Sequence, residues 1–340
     1  MVNGCVPVPD TEIMPVSPNT KRAPDRVILI TGAAGYIGGQ SALHLRELGH
    51  TVMGIDTQPC PAGPMRALHR FYQEDFGSPH GLDVITRVRP QAILHCAGTS
   101  LVGPSRHDPA GYFDNNFVRT LRMMDHLRAQ RCAARVVFSS SAAVYGEPGS
   151  ARCLESDALR PVSTYGDSKL MVETMLRRYQ EAYAQPYVAL RYFNACGADP
   201  WGRHGQRSGA THIMARVLES LLSHQEFTLN GEDYDTPDGT CVRDYLHVED
   251  IARAHALALD PQLPPGAYNL GLALAHSNLE VMRACERITG VSLKWRAGPR
   301  RPGDPARLTA DPQAFVTATG WRPRYGLDDM IQHAWKWYQS

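Results

Sequence analysis

Two side chains suited to proton transfer, Tyr165 and Lys169, stand four positions apart in a segment predicted to be helical as far as about Tyr183. At that spacing they lie on one face of the helix, one turn from each other. A free tyrosine has a pKa near ~10 and is a poor base at neutral pH, but a neighbouring ammonium favours the phenolate. Tyr165 is therefore a candidate acid and base. By itself, however, a tyrosine and a lysine at this spacing are more often incidental than catalytic.

A group of small hydroxyl side chains follows a predicted strand upstream of this pair. The strand is Arg135–Phe138, and Ser139, Ser140 and Ser141 come directly after it. A serine-rich turn is the simpler interpretation. Ligands gather at the carboxyl ends of strands in open parallel sheets, so the position of the serines favours a functional role.

The stretch that organises the chain is an apolar run, Val27–Thr31, followed by Gly32, Gly35 and Gly38 and then by a helix-like segment from Gln40 to Leu48. This order predicts a strand, a phosphate-binding turn and a helix. The first glycine allows a sharp turn, the second a close approach to a pyrophosphate and the third close packing of helix on strand. The free N–H groups of the helix N-terminus then face the anion.

An acidic residue, Asp56, ends the next predicted strand, Thr51–Asp56. Its carboxylate would hold the adenosine ribose hydroxyls and repel a 2′-phosphate. No arginine follows at Thr57 or Gln58, so the sequence favours NAD over NADP. A cationic nicotinamide ring would also favour the phenolate of Tyr165, so the glycine motif makes a catalytic role for the helix pair the better interpretation.

Composition limits the class of protein. The chain has 340 residues, 43% of them hydrophobic, and a formal net charge of +1. It is long enough for one large α/β domain with an appendage or for two domains. The balanced charge argues against nucleic acid or a membrane surface as a main partner. The eight cysteines show no metal-binding spacing and are interpreted as reduced thiols of a cytoplasmic protein, with no metal site.

Alternating strands and helices predict a Rossmann-type doubly wound parallel sheet with a smaller, partly discontinuous C-terminal α/β domain. The expected divisions are a flexible leader at 1–25, an NAD-binding domain at 26–193 to which segments near 241–272 return, and a mainly substrate-binding domain at 194–340. One long helix is predicted from Phe117 to about Gln130. Its expected core stripe is Phe117, Val118, Leu121, Met124 and Leu127.

Four arginines near the C-terminal end form a local basic cluster that would suit a diphosphate or would simply be solvated. They are Arg296, Arg300, Arg301 and Arg307.

Five motifs in order resemble the extended short-chain dehydrogenase/reductases and, within them, the UDP-glucose 4-epimerase family. They are Thr31-Gly32-x-x-Gly35-x-x-Gly38, Ser139-Ser140-Ser141-Ala142-x-Val144-Tyr145-Gly146, Tyr165-Gly166-x-Ser168-Lys169, Arg191-Tyr192-Phe193-Asn194, and the segment from Asp238 to Val248. The last of these is the narrowest and points to the 4-epimerases. The resemblance covers about residues 26 to 338.

The resemblance implies an NAD-dependent enzyme that interconverts UDP-glucose and UDP-galactose through a 4-keto sugar, and it implies a homodimer packed through the helices beginning near Asn116 and Tyr165. Tyr165 takes the proton of the sugar 4-hydroxyl, Ser141 hydrogen-bonds the 4-oxygen, and Lys169 holds the nicotinamide ribose and lowers the Tyr165 pKa. The implied cofactor contacts are Gly32, Gly35, Tyr36, Ile37, Gly38, Asp56, Asp75, Phe76, Ala97, Gly98, Asn116, Ser139, Tyr165, Lys169 and Phe193. The implied substrate contacts are Ser141, Asn194, His212, Arg243, Arg301, Asp304 and Leu308.

Three positions depart from the family pattern. Ser100 stands where many members have a lysine, so a cation near the cofactor is missing. Leu308 occupies the gate of the sugar pocket, where a bulky aromatic excludes N-acetyl sugars and a small residue admits them; leucine is intermediate. Thr211 and His212 replace an asparagine pair on the substrate helix.

Other functions are open at this point. A pentose, a uronic acid or an N-acetylhexosamine could replace the hexose. A nucleotide-sugar 4,6-dehydratase needs an aspartate and a glutamate directly after the strand-end hydroxyl as acid and base. This chain has Ala142 and Ala143 there, so dehydration is disfavoured. A non-catalytic NAD-binding regulator would not need the Tyr165 and Lys169 pair.

Overall fold

The computed structural model describes residues 25–301 and 303–340. The predicted leader, residues 1–25, lies outside this range except for its last residue. Strands and helices alternate through the first half of the chain. In order they are β1 (Val27–Thr31), α1 (Tyr36–Glu47), β2 (Thr51–Asp56), α2 (Ala62–Ala67), β3 (Arg70–Gln73), α3 (Pro79–Val88), β4 (Ala92–His95), α4 (Pro109–Phe113), α5 (Arg119–Ala129), β5 (Arg135–Ser141), α6 (Thr164–Tyr183) and β6 (Tyr187–Tyr192).

The second half is less regular. It contains β7 (Asn194–Cys196), α7 (Ile213–Ser223), β8 (Phe227–Asn230), β9 (Val242–His247), α8 (Val248–Ala258), β10 (Gly266–Leu270), β11 (Ala275–Ser277), α9 (Asn278–Thr289), β12 (Trp295–Gly298), β13 (Arg307–Leu308), α10 (Gln313–Thr319) and α11 (Leu327–Tyr338).

Seven strands form one parallel sheet in the order β10-β6-β5-β4-β1-β2-β3. Side chains of β1 alternate between its two faces, as the strand period requires. Ile28 and Ile30 join a core with α1 and α8, whereas Leu29 joins a core with α5 and α6. Apolar helices therefore cover both faces of the sheet, and the predicted Rossmann-type fold is confirmed.

A second group of strands lies beyond β6. It comprises β11, β9 and β13 with β7 paired to β9, and a separate pair of β12 and β8. Helices α7, α9 and α11 close a third core with these strands, built on Leu218, Phe227 and Met330 among others. This is the smaller C-terminal α/β part expected from the sequence.

The chain crosses between the two parts more than once. Strand β10 pairs with β6 of the main sheet, and α8 packs against α1. Strand β9, which directly precedes α8 in the chain, pairs instead with β7 in the second sheet. On this basis we propose an NAD-binding domain of about 26–193 and a substrate domain formed mainly by 194–340. Of the segments near 241–272 that were expected to return to the first domain, α8 and β10 do so, whereas β9 belongs to the second sheet.

The long helix predicted from Phe117 differs from the expectation in two respects. Helical structure begins earlier, at α4, and passes through a π-helical turn at Asp114–Val118 before α5. A π turn inserts a residue and so rotates the faces that follow it. In α5 the buried face is formed by Thr120, Met123, Met124 and Leu127, whereas Leu121 lies at its edge and is 36% exposed, so its assignment to the core was wrong.

Within the described residues, no helix combines the length and apolarity needed to cross a membrane.

Candidate active site

The turn between β1 and α1 has the geometry expected of its glycines. Gly32 has a φ of +74°, and a Cβ there would lie 2.6 Å from the backbone nitrogen of Ala97. A Cβ at Gly38 would overlap the carbonyl oxygen of Gly32 and lie 2.9 Å from its carbonyl carbon. Helix α1 begins at Tyr36, so the amides of its first turn have no intrahelical acceptor and point out of the helix end.

A cleft of about 470 Å³ opens in front of this turn. Eight of the predicted cofactor residues line it: Gly32, Gly35, Tyr36, Asp56, Asp75, Phe76, Ala97 and Gly98. Ile37, which was also predicted, packs against the core instead. Asp56 accepts hydrogen bonds from the amides of Ala34, at 3.0 Å, and Gln58, at 2.9 Å. These bonds fix its carboxylate at the end of β2.

The wall of the cleft next to β3 is held by an ion pair that the sequence did not indicate. Arg119 lies 2.9 Å from Asp75 and also pairs with Asp114. Phe76 is buried, with its ring centroid 5.0 Å from that of His95. His95 is a core residue: its ring contacts the hydroxyls of Thr31 and Thr120, and burial lowers its pKa to about 3.

The predicted proton-transfer pair lies where β5 ends. Lys169 donates to the carbonyl oxygen of Ser139 at 2.9 Å, and its Nζ lies 5.8 Å from the centroid of the Tyr165 ring. A Cβ at Gly98 would lie 3.5 Å from the same Nζ. The ammonium is thus next to the loop that closes the cofactor cleft. Tyr165 and Lys169, which lie between the end of β5 and α6, therefore adjoin the cleft.

Burial changes the ionisation of both members of the pair. It raises the pKa of Tyr165, and a hydrogen bond with Ser141 opposes that rise. Burial also lowers the pKa of Lys169 to about 8. The sequence-based expectation was that Lys169 lowers the Tyr165 pKa. In this structure the ammonium is directed to the Ser139 carbonyl, and burial is the larger effect on the tyrosine.

Asn116 has a positioning role in the structure. Its Oδ1 accepts from the Thr99 amide at 2.7 Å, and its Nδ2 donates to the Thr99 carbonyl and to the Ser168 hydroxyl. The side chain therefore ties the loop after β4 to α6. Its predicted contact with the cofactor would be made through this loop, since its own polar atoms are bonded within the protein.

A buried ion pair lies behind the serine cluster. Glu173 pairs with Arg191 at 2.6 Å, and both side chains are less than a tenth exposed. Ser140 donates to Glu173, while Arg191 donates to the hydroxyl of Tyr145 at 2.9 Å. This network fixes α6 against β5 and β6. The motifs contained Ser140, Tyr145 and Arg191, but their partner Glu173 went unnoticed because nothing in its local sequence marks it.

The predicted substrate residues meet on the second sheet. Arg243 of β9 is buried and pairs with Asp304 at 2.9 Å. Arg301 is oriented toward the side-chain oxygen of Asn230, and both line a small pocket with Asp304 at the start of α7. Asn194 donates to the carbonyl oxygen of Asp244 at 2.9 Å, which places it on the edge strand β7.

The remaining substrate positions are less closely grouped. Leu308 of β13 lies opposite Arg243 in register and packs against the cluster that contains Phe193 and Ala142. His212 is exposed and immediately precedes α7.

The arginine cluster predicted from the sequence does not converge on one point. Arg296 pairs with Glu226 at 3.1 Å on β12, and Arg300 pairs with Asp233 at 2.6 Å. Arg301 lines the small pocket with Asn230 and Asp304, whereas Arg300 and Arg307 line a separate cleft on the other side of Asp304.

Residues 204–210 form a wall of the cofactor cleft that the sequence did not reveal. The sequence shows only a polar, glycine-rich loop there. The glycines in this segment indicate a loop, but nothing in the sequence indicates that the loop lines the cofactor cleft.

Among the described residues, no group of three or more histidine, cysteine or acidic side chains could hold a metal ion, and seven cysteines are free. The cleft fits a dinucleotide. Its turn excludes a Cβ at two glycines, its helix end presents free amides, and a fixed acid ends the second strand. Fold and site together define a dinucleotide-dependent enzyme of the short-chain dehydrogenase/reductase class.

Comparison with known proteins narrows this class. The family model described as "NAD dependent epimerase/dehydratase family" matches residues 28–271. The chain belongs to this family, and the expected enzyme class and NAD cofactor are confirmed.

The similar proteins include a UDP-glucose 4-epimerase of Halalkalibacterium halodurans, 41% identical over 321 residues that cover 92% of this chain and 96% of the relative. A solved UDP-glucose-4-epimerase from Stenotrophomonas maltophila, with bound NAD and formylated UDP-arabinopyranose, has a TM-score of 0.87 at 33% identity and covers 92% of this chain and 98% of its own. A UDP-glucose 4-epimerase from Brucella ovis in complex with NAD has a TM-score of 0.86 at 37% identity, with the same coverage.

Proposed function

We propose that this protein interconverts UDP-glucose and UDP-galactose by epimerisation at C4 of the sugar, through a 4-keto intermediate. The single observation that carries this is the position of the Tyr165 and Lys169 pair, which adjoins the glycine cleft at the carboxyl end of β5. The relatives named as UDP-glucose 4-epimerases support the choice of substrate.

Tyr165 is proposed as the group that removes the proton from the 4-hydroxyl and later returns it. Its hydrogen bond with Ser141 supports a role for that serine in orienting the 4-oxygen. Lys169 is proposed to hold the nicotinamide ribose, since its Nζ lies beside the Gly98 loop. Because burial raises the Tyr165 pKa, the proton transfer needs positive charge near the phenol, which Lys169 supplies as long as it stays protonated.

NAD held by the glycine turn and Asp56 would supply the hydride acceptor for C4, and return of the same hydride would leave no net oxidation. For the configuration to invert, the keto sugar must turn about its diphosphate link and offer its other face. A nucleotide held firmly while the sugar turns meets this requirement. The buried Arg243 and Asp304 pair and Arg301 are proposed to hold the UDP portion, with Asn194 and His212 on the substrate side.

The proposal is tested by following anomeric protons in NMR spectra of the purified protein mixed with UDP-galactose. Conversion to an equilibrium mixture with UDP-glucose is expected, without a net change in reduced cofactor. Absence of conversion, with NAD still bound, would contradict the hexose assignment and would direct the assay to UDP-pentoses and UDP-uronic acids.

Leu308 is proposed to set the size of the sugar pocket, since it packs beside Phe193 and opposite Arg243. Leu308→Ala is expected to raise the ratio of kcat/KM for UDP-N-acetylgalactosamine over that for UDP-galactose about tenfold, and Leu308→Tyr to lower it. The reason is steric: a pocket discriminates substrates by the volume that it excludes. The same NMR assay measures both ratios. Equal ratios in the two variants and the parent protein would show that Leu308 does not border the sugar.

We further propose a homodimer in the cytoplasm that acts in galactose metabolism. Leu121 of α5 and Met171 of α6, both more than a third exposed, support an apolar contact through these two helices. Light scattering is expected to give twice the chain mass, and Met171→Asp to shift the protein toward the monomer. A monomeric parent protein would contradict the proposal. Free thiols at the described cysteines suit a reducing compartment.

A further inference from the structure

Residues 199–210, here called the strap, leave the second part of the fold and cross the mouth of the cofactor cleft. The last seven residues of the strap, 204–210, line the cleft together with Gly35 and Asp56. The strap therefore faces the place where the glycine turn would hold a pyrophosphate.

The base of the strap is tied firmly to α1 and α11. Asp199 is buried and accepts from Gln40 of α1 at 3.0 Å and from Arg203 at 2.7 Å. The ring of His204 donates to the carbonyl oxygen of Tyr36 at 3.0 Å. Trp337 of α11 donates to the carbonyl oxygen of Gln206 at 2.9 Å. The strap is thus fixed to the same helix whose N-terminus faces the cleft.

Close packing reinforces these bonds. A Cβ at Gly39 would lie 2.6 Å from Nε2 of His204, and one at Gly205 would lie 2.5 Å from the Trp337 ring. The hydroxyl of Tyr36 also donates to the carbonyl oxygen of Gly197, at 2.8 Å, just before the strap begins. As a result, the path of the strap over the cleft is determined by its base.

The tip of the strap is held far less tightly. Arg207 is exposed, and within the described part of the chain its guanidinium has two weak partners, the carbonyl oxygens of Ala34 at 3.5 Å and Pro59 at 3.4 Å. Ala34 belongs to the glycine turn, and Pro59 follows β2. Arg207 therefore spans the mouth of the cleft without an ionic partner among residues 25–301 and 303–340.

We propose that Arg207 is a cofactor-retaining residue whose guanidinium pairs with the pyrophosphate of bound NAD and so makes the strap a clamp over the cofactor. Two weak bonds to carbonyls would be exchanged for charge-assisted bonds to an anion, which are stronger. This inference rests on the NAD dependence of the family and does not depend on which sugar is turned over.

Two further observations favour the pyrophosphate as the partner. The other arginine that lines the cleft, Arg119, is already paired with Asp75 and Asp114, whereas among the described residues Arg207 has no carboxylate partner and is available to an anion. A 2′-phosphate is the alternative anion. It would have to lie beside the Asp56 carboxylate, which is fixed at the ribose end and would repel it.

The first test uses the holoenzyme without any sugar nucleotide and measures how fast bound NAD exchanges with radiolabelled NAD in solution. Arg207→Ala is expected to speed this exchange about tenfold, which corresponds to about 1.4 kcal/mol. Arg207→Lys keeps the positive charge, and its NAD exchange rate is expected to lie between those of the parent protein and Arg207→Ala. The matched control is Arg296→Ala, since Arg296 is also exposed but pairs with Glu226 away from the cleft. It is expected to exchange at the parent rate.

The second test identifies the group that Arg207 contacts by competition with fragments of the cofactor. Arg207→Ala is expected to weaken binding of ADP-ribose about tenfold and to leave binding of adenosine unchanged. The proposal would be overturned if Arg207→Ala exchanged NAD at the parent rate, or if this variant weakened the binding of adenosine as much as that of ADP-ribose. It would also be overturned if Arg296→Ala accelerated NAD exchange as much as Arg207→Ala does. Tighter binding of NADP than of NAD by the parent protein would overturn it as well. Because no sugar is present, a failure of the epimerase assignment would leave these results unchanged.

Discussion

Tyr165→Phe is expected to lower kcat for UDP-galactose by about a thousandfold while the protein keeps its NAD. Positioned acid–base groups contribute about 10²–10⁴-fold to a rate, and this substitution removes the hydroxyl while it keeps the ring that fills the space beside β5. The ring is 8% exposed, so its packing is retained. The NMR assay gives kcat, and the absorbance of NAD released on denaturation gives the cofactor content.

The matched control for this variant is Tyr179→Phe, the same substitution on the same helix. Tyr179 packs edge to face against Tyr183, with ring centroids 5.3 Å apart, near the C-terminal end of α6, and it does not line the cleft. Parent-like kcat is expected there. Parent-like kcat in Tyr165→Phe would refute the role of the phenol as acid and base. Loss of NAD from Tyr165→Phe would instead make the hydroxyl a cofactor-binding group.

The electrostatics of Tyr165 and Lys169 are the reason that we expect the two residues to act together. Lys169 is buried beside the carbonyl of Ser139, and its pKa of about 8 leaves it protonated at neutral pH. Above pH 8 the ammonium loses its proton and with it the charge that favours a phenolate. Burial of Tyr165 acts in the opposite direction at every pH, because it penalises the charged form of the phenol.

Features whose determinants are close together in sequence could be predicted. The turn from β1 through Gly32 to Gly38 spans seven residues and its conformation follows from their types. The same holds for Tyr165 and Lys169, because one helical turn brings them together. Three strands of the main sheet, β1, β2 and β5, could likewise be predicted from short apolar runs.

Features that depend on contacts between distant residues could not be predicted. Arg203 and Gln40 meet at Asp199 although Gln40 is 159 positions away, and Trp337 reaches the strap across 131 positions. No local pattern marks such pairs. The exposed Leu121 illustrates a smaller failure of the same kind. Its position was inferred from one helical period that starts at Phe117, but the face that α5 buries runs through Thr120, Met123, Met124 and Leu127 and leaves Leu121 at its edge.

The other large effect is expected for Gly38→Ala, which should weaken NAD binding at least about tenfold and lower the free energy of unfolding by about 1–3 kcal/mol. The added methyl would overlap the carbonyl oxygen of Gly32 and lie 3.2 Å from Cα of Ala33, both of them backbone atoms that cannot rotate away. Helix α1 must then move off β1, and this displaces the amides that face the pyrophosphate. Calorimetric titration with NAD and thermal unfolding measure the two effects.

Gly149→Ala is the matched control for this substitution, because a Cβ at Gly149 has no atom within 4 Å. It is expected to bind NAD and to unfold as the parent protein does. If Gly38→Ala also behaved like the parent protein, α1 would have to tolerate displacement from β1, and the rigid glycine turn could not be what holds the pyrophosphate. If Gly38→Ala unfolded at the parent temperature but lost NAD, the turn would act on the cofactor alone. Loss of both properties together is expected, because one contact between Gly38 and Gly32 closes the core behind the turn and shapes the cleft in front of it.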